Sequence, residues 1–429
     1  MTTSSWPDKG LDGEKPFATA DLESSPLALD DLGSGEVAQR PQKRPASTGA
    51  TAPPNSPRPR IASLDLVRGI MLVVSVAVNS LLMTPEWFDH AAWGSVHPLD
   101  LVFPLFVTLS GCGLAFAMHR RVKVAPLLRR MLVLLLAGLL YNAIVLNSWQ
   151  LDTWRVTGVL QLYAVVVAAM GLLHLVTRSW IGWAVITILL AGAHSTLLAV
   201  YALGCPAGLL TPGCNPAGPI DIAIFGANHV YRLGLAGHDP EGLVAIFGAL
   251  VSASIGACIG HLMLAMRNRG QRTGSGVRAA VVPLLGLGLA ALFLGELAAQ
   301  LPALLGGVEL PAMKRLWTAP FAFRVGAGAA IALLIGHLIL DRDKVGKGLA
   351  IGSFPLLGLG RNSLLVYFGS HVVMSVLSRP TASGSSLALD WASAIAIAGH
   401  RQATWTLVLL LFWIGLASVL HRHKIYLRP

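Results

Sequence analysis

About ten times along its 429 residues the chain returns to an apolar run of about 20 residues, the length an α-helix needs to cross roughly 30 Å of hydrocarbon. Hydrocarbon leaves no water to satisfy backbone N–H and C=O groups, so such runs must be helical. Apolar runs read against polar breaks place spans beginning near Leu64, Leu99, Leu127, Thr157, Trp180, Leu243, Val277, Pro320, Phe354 and Ala403. The composition agrees: 54% of residues are hydrophobic, only 12% are charged, and mean hydropathy is +0.64. The expected fold is an all-α polytopic membrane bundle of about ten transmembrane helices, with the lipid bilayer as its first partner.

Basic residues gather in alternate connections: His119 to Lys123 with Arg129 and Arg130; Arg267, Arg269, Arg272 and Arg278; Arg342, Lys344 and Lys347; and Arg422, Lys424 and Arg428. Cytoplasmic loops carry such an excess, so both termini are expected in the cytoplasm, in a multi-pass protein of the plasma membrane. The net charge of +11 is then chiefly a topology signal. No aromatic platform accompanies it, which argues against nucleic acid as a partner. Residues 1–60 are rich in Pro, Ser, Ala and charge and read as a disordered cytoplasmic tail, with the membrane domain occupying residues 61–429. Asp8, Lys9, Asp12, Glu14 and Lys15 do not form a secretory leader, so the first span is expected to target the chain.

The segment Asn79 to Pro104, NSLLMTPEWFDHAAWGSVHPLDLVFP, interrupts the apolar pattern on the side expected to face outward. Asp89 and His90 sit among Trp87, Phe88 and Trp93, Asn79 closes the first apolar run, and Asp100 opens the second. An imidazole between two spans is placed to act as a general base or a nucleophile. The long outward loop from Gly204 to Glu241 carries Cys205 and Cys214 in GCPAGLLTPGCNP, where Gly and Pro permit a tight turn; a disulfide and two free thiols both remain open. Cys112 and Cys258 lie within spans and read as small packing residues. His97, His229 and His238 share the outward loops, but without metal-ligand spacing, and no metal is expected.

The order RIASLDLVRG, VN, FDHAAWG and DLVFP resembles the catalytic region of the heparan-α-glucosaminide N-acetyltransferase family. Downstream, WRVTGVLQLYAV from Trp154, GCPAGLLTPG from Gly204, GHDPEGLVA from Gly237, KRLWT from Lys314 and GRNSLLVYFGSH from Gly360 are similar to further segments of that family, in the same order. The resemblance implies a membrane acyltransferase that takes an acetyl group from cytoplasmic acetyl-CoA and delivers it to an amino sugar or glycoconjugate on the far side. It also implies His90 and Asn79 as the catalytic pair, at the family's spacing. The chain departs from the pattern at Leu162, where the family has Arg, and at Met313, where it has Asn.

Acetyl transfer to an amine needs a base for the amine proton and a donor for the oxyanion, roles that suit His90 and Asn79, with Asp89 expected to orient His90. Substrate contacts are expected from Asp65, Arg68, Trp93, Asp100, Gln161, Asp239, Glu241, Lys314, Trp317 and Asn362. Several of these have plainer readings. Asp65 and Arg68, three apart, are expected to pair on one helix face or to lie near the CoA moiety. Asp239 and Glu241 would cap a helix near Pro240 or hold an ammonium. Trp87, Trp93 and Trp317 would be interfacial belt residues or sugar-stacking platforms. Asp100, Glu296, Arg324 and Arg361, in or beside spans, suggest a hydrated interior. Glycines in GLGLA and GAGAA suit close helix packing rather than phosphate binding. The alternative class is a transporter or flippase for a sugar or lipid-linked intermediate, against which the absence of an internal repeat argues. A homodimer is also open.

Overall fold

The computed structural model describes residues 61–83, 85, 89–342, 345–382 and 384–427. The tail 1–60, Trp87, Phe88, Lys344 and Arg428 lie outside the described residues. The chain is helical from α1 (Ala62–Asn79) through α2 (Val102–Met118), α3 (Val124–Val145), α4 (Val159–Val176) and α5 (Trp180–Ala202) to the short α6 (Ala217–Phe225). It continues through α7 (Leu243–Thr273), α8 (Val281–Leu304), α9 (Ala319–Leu340), α10 (Lys347–Arg361), α11 (Ser363–Leu377), α12 (Leu387–Ala394) and α13 (Arg401–Arg422). Among the described residues, nine helices are long and apolar enough to cross a membrane, and α10 with α11 forms a tenth, bent by 73°. The expected span near Phe354 therefore straddles a break, which falls at the buried Asn362.

The 31-residue helix α7 is the axis of the bundle, and small residues are what allow it to be buried. A Cβ at Gly256 would lie 1.8 Å from the Thr108 carbonyl oxygen, and one at Gly111 would lie 1.9 Å from that of Ala253. Helices α2 and α7 thus touch backbone to backbone, the mode of association available where lipid removes the hydrophobic drive between helices. The same device joins α1 to α10, where Gly69 meets Leu356 and Gly360 meets Asp65. Of the glycines read as packing residues, Gly326 presses on Ile255, but Gly286 and Gly328 face open space.

The first turn of α1 leaves N–H groups without intrahelical partners. The Asp341 carboxylate supplies acceptors: it bonds the Ala62 N–H at 2.7 Å, the Ser63 N–H at 3.2 Å and the Ser63 hydroxyl at 2.6 Å, and takes His337 Nδ1 at 2.7 Å. Nearby, Asp65 pairs with Arg361 at 3.0 Å, and Arg361 also donates to the Tyr426 hydroxyl. This corrects the expected Asp65 and Arg68 pair. Arg68 instead donates to the Leu109 carbonyl at 3.1 Å and lies over Gly113, fixing α1 to α2. Glu296 and Arg324 also depart from expectation: they pair with each other at 2.6 Å on the outer surface of α8 and α9 rather than lining the interior. The start of α1 and the end of α13 share one end of the bundle, and the long connections gather at the other.

A branched side chain at Gly256 has no room unless α2 moves. Gly256→Val is expected to cost about 3 kcal/mol or more, read as loss of monodisperse protein in detergent, whereas Gly328→Ala, in open space, should leave yield and thermal stability near wild type.

Candidate functional site

The segment between α1 and α2 is tied at its start to α13. Ser80 hydrogen-bonds Thr406, and the Gln402 amide accepts from the Leu82 N–H and donates to the Ser80 carbonyl. Further along, His90 meets the carboxylate of Asp100, which sits in the 3₁₀ turn Pro98–Leu101 leading into α2. Nδ1 of His90 is 2.7 Å from Asp100 Oδ1, while Oδ2 accepts the Ala91 and His97 N–H groups at 3.1 and 3.0 Å. Lys314 Nζ approaches the same Oδ1 at 3.2 Å. Asp100 is 2% exposed and His90 is 51% exposed, so the carboxylate is sealed and the imidazole is open.

A carboxylate can only accept, so the short contact places the His90 proton on Nδ1 and leaves Nε2 with its lone pair. Lys314 Nζ lies 3.1 Å from that Nδ1. Both are donors, so they converge on Asp100 instead of bonding each other. Asp100 is therefore the orienting group that Asp89 was expected to be. Asp89 accepts from the His90 backbone N–H at 2.6 Å, and its carbonyl receives His97 Nδ1 at 2.7 Å; neither contact reaches the His90 ring. Nor is Asp100 available as a substrate contact, since four donors already surround it.

Lys314 is delivered by a tight turn between α8 and α9. The Thr318 hydroxyl accepts from the Met313 N–H and donates to the Pro311 carbonyl, and the Trp317 N–H returns to the Lys314 carbonyl. Trp317 adopts a left-handed φ of 49°, a conformation that costs a large side chain free energy. Its buried indole compensates by donating to Ser252 on α7 at 2.8 Å and packing edge-on to Phe103 and Phe321. Trp317 is a core anchor of the turn, which corrects its reading as a belt or stacking residue. Next to Lys314, Arg315 donates to the Ala91 carbonyl at 3.1 Å and reaches His238 Nε2 at 3.4 Å. Trp93 donates its indole N–H to the Leu210 carbonyl at 2.7 Å and stands edge-on to His238. Burial, then the Arg315 charge, hold His238 below the usual imidazole range, against the Ala236 carbonyl that favours its charged form.

The long loop before α7 is folded by its own staples. Cys205 and Cys214 are disulfide-bonded with Cα atoms 5.8 Å apart, and the Asn215 amide donates to the carbonyls of Thr211, Pro212 and Gly237. Arg155 bonds Asp239 and Glu241, each at 2.7 Å, and its guanidinium lies over the Tyr231 ring. The other Asp239 oxygen takes the Thr157 hydroxyl and the Tyr231 N–H. Burial opposes the Arg155 charge, yet Glu241 and Asp239 hold its pKa above the ordinary value. Asp239 and Glu241 are thus committed to a structural knot, and neither caps α7. The cap is Asp221, unremarked in the sequence, whose Oδ1 accepts the Leu243 N–H at 2.8 Å. Its buried Oδ2 has no hydrogen-bond partner among the described residues, and burial, reinforced by Asp239 against the Leu243 N–H, pushes its pKa up to about 7.

Asn79 is not hydrogen-bonded to His90. Its amide nitrogen lies 2.8 Å from His371 Nδ1 and 3.5 Å from the Ser370 hydroxyl, both on α11, with Tyr367 and Tyr141 beside the His371 ring. Gln161 is buried between α3 and α4 against Gly138 and Gly158, its amide without a partner among the described residues. Asn362, with Asp65 and Arg68, sits at the opposite end from His90, where its side chain bonds the Gly358 carbonyl and the Leu427 N–H. The structure therefore brings His90, Asp100 and Lys314 together, with Trp93 adjacent, and disperses the rest. His371, Arg155 and Asp221 escaped sequence reasoning. A signal for His371 was the spacing of Tyr367, His371 and Met374, which puts a histidine on the inward stripe of an apolar helix.

Fold and site together define a multi-pass helical membrane protein whose loops hold an open, carboxylate-oriented histidine at one end of the bundle. Residues 60–294 match the family model described as heparan-alpha-glucosaminide N-acetyltransferase, catalytic. The chain belongs to that family of membrane N-acetyltransferases. It is 25% identical to human heparan-alpha-glucosaminide N-acetyltransferase over 99% of this chain and 66% of the human protein. It is also 25% identical to the mouse protein of the same name, over 86% of this chain and 60% of that one. The chain thus spans less than two thirds of the length of either relative.

The Asp221 carboxyl titrates near 7 in the folded protein against about 3.8 ordinarily. The folded state thus keeps a proton that the unfolded chain releases, and stability from this group falls as pH rises from about 4 to about 7. Asp221→Asn should flatten that part of the stability profile and raise the unfolding temperature at pH 7.5 relative to wild type. Thermal unfolding followed by tryptophan fluorescence between pH 4.5 and 7.5 reads both effects.

Proposed function

We propose that this chain is an acetyltransferase that moves an acetyl group from acetyl-CoA, drawn from the side of the basic connections, to the amine of an amino sugar or glycoconjugate on the side of the His90 loop. The basic connections are cytoplasmic in this reading, and the protein sits in the plasma membrane. The observation that carries the proposal is the His90 and Asp100 contact: a half-exposed imidazole with Nδ1 engaged by a buried carboxylate presents Nε2 as a base.

In the simplest sequence the acceptor's free amine attacks the thioester carbonyl carbon while Nε2 takes the amine proton. The oxyanion then collapses, the C–S bond breaks, and the imidazolium returns its proton to the departing thiolate. Asp100 stabilises the imidazolium without accepting its proton, and Lys314 keeps the Asp100 carboxylate ionised and in register. The same imidazole could first accept the acetyl group itself, and an acetylated His90 would distinguish that route. Asn79, the last residue of α1, and His371, in the middle of α11, form a second polar pair, and in this reading they contact the donor's acyl end rather than supply the base. Membership in an N-acetyltransferase family supports the choice of reaction, and the relatives' names support an amino sugar as acceptor.

Asp100→Asn keeps the shape but removes the charge and frees the wrong tautomer, so kcat should fall by about 10²–10⁴-fold with a small change in KM. Steady-state transfer from acetyl-CoA to glucosamine measures this, and wild-type rates in Asp100→Asn would remove His90 from the base role. The side assignment has its own check. A membrane-impermeant histidine reagent added outside intact cells should inactivate wild-type protein, and bound acetyl-CoA should protect it.

A further inference from the structure

Acetylation of an amine moves two protons, and His90 accounts for one of them. Near neutral pH an amino sugar arrives chiefly as an ammonium, because an amine of this kind titrates at about 8. That nitrogen has no lone pair until its first proton leaves. His90 takes the second proton during attack and returns it to the departing thiolate, so a different group must take the first.

His97 is a second imidazole in the segment that carries His90. Its Nδ1 lies 2.7 Å from the Asp89 carbonyl oxygen. A carbonyl only accepts, so the ring proton sits on Nδ1 and Nε2 keeps its lone pair. The Asp100 N–H, which also faces His97, is taken by the His97 carbonyl at 3.0 Å. The contacts close on themselves. The His97 N–H holds Asp100 Oδ2, Asp100 Oδ1 holds the His90 ring, and the carbonyl that holds the His97 ring belongs to the residue before His90. Two imidazoles are thus fixed through Nδ1, with both Nε2 atoms left as bases. The other titratable and charged groups of the loop cluster are committed: His238 is buried with Nε2 facing Arg315 at 3.4 Å, Arg315 also donates to the Ala91 carbonyl, and Lys314 is held on Asp100. Asp89 is exposed and His97 partly so. An incoming ammonium therefore meets an anionic side chain, Asp89, at the residue that anchors the His97 ring.

We propose that His97 is a second base of the acetyl transfer, taking the first proton from the acceptor's ammonium before the free amine attacks. The inference rests on the acetyl-transfer reading above. Nε2 of His97 accepts one N–H proton, the electron pair of that bond stays on the amine nitrogen as its lone pair, and the imidazolium later releases the proton to the surrounding water. The amine then attacks the thioester carbonyl carbon, His90 takes the second proton, and the C–S bond breaks as that proton passes to the thiolate. One ammonium and one thioester give one amide, one thiol and one released proton.

His97→Asn separates this role from a structural one. The Asn amide still donates to the Asp89 carbonyl and suits the position before the 3₁₀ turn, but it cannot take a proton. The measurement is kcat/KM for glucosamine at saturating acetyl-CoA, between about pH 7 and about pH 9, for full-length wild type and variant. The ratio of wild type to variant should be about tenfold at pH 7, where about a tenth of the acceptor is free amine, and should fall toward one by pH 9, where the amine arrives free. A ratio that stays constant across that range would overturn the proposal by marking His97 as a brace of the loop, and a ratio of one throughout would overturn it as well. If His97→Asn gives no folded protein, His97→Gln, which cannot take a proton either, carries the same comparison. The underlying reading fails separately: absence of transfer by the wild type at every pH removes the reaction, whereas wild-type transfer with a pH-independent ratio removes only the role of His97.

Discussion

The Asp100 carboxylate is the contact on which the arrangement of the site depends. An ionised carboxylate at 2% exposure is costly unless every lone pair is used. Here two backbone N–H groups, one imidazole and one ammonium use them. Those donors come from the His90 segment, from the turn that starts α2 and from the turn that starts α9. A single buried charge therefore sets the position of two loops that are 224 residues apart in sequence. It also selects the imidazole tautomer, which ties the electrostatics of burial directly to the chemistry available at Nε2.

That constraint works only on a rigid base. The backbone contact of α2 with α7 at Gly111 and Gly256 fixes the helix that follows the Asp100 turn, and the Trp317 indole bonded to Ser252 fixes the turn that carries Lys314 to the same α7. The Arg155 knot and the disulfide hold the long loop that walls the site through His238 and Leu210. Close packing at the bundle axis thus fixes the placement of the loops at its end.

The number and order of membrane helices were legible because apolar length is a one-dimensional signal that hydrocarbon enforces on each segment separately. The 73° break at Asn362 was not, since α10 and α11 read together are as apolar as one straight span. Within the site, His90, Asp100 and Lys314 were all named from the sequence, but their division of labour was not. Asp89, adjacent to His90, looked like its partner, yet side chains at neighbouring positions diverge, and the 3₁₀ turn at Pro98 swings Asp100 beneath the ring instead. Asp239 and Glu241 looked available for a ligand because Arg155, 84 and 86 residues away, could not be placed opposite them. Trp317 carried a membrane-boundary signal by position, and only the left-handed turn beneath it explains its burial. Pairings across long sequence separation are what one sequence does not contain.

The most direct measurement follows radiolabelled acetyl-CoA with purified wild-type protein and with His90→Ala, with and without glucosamine. The account predicts loss of the thioester and transfer of label to glucosamine by the wild type, and abolition of transfer in His90→Ala with acetyl-CoA binding retained. Transfer by His90→Ala at the wild-type rate would contradict the role of the imidazole, and a wild-type protein that does not bind acetyl-CoA at all would contradict the reaction itself.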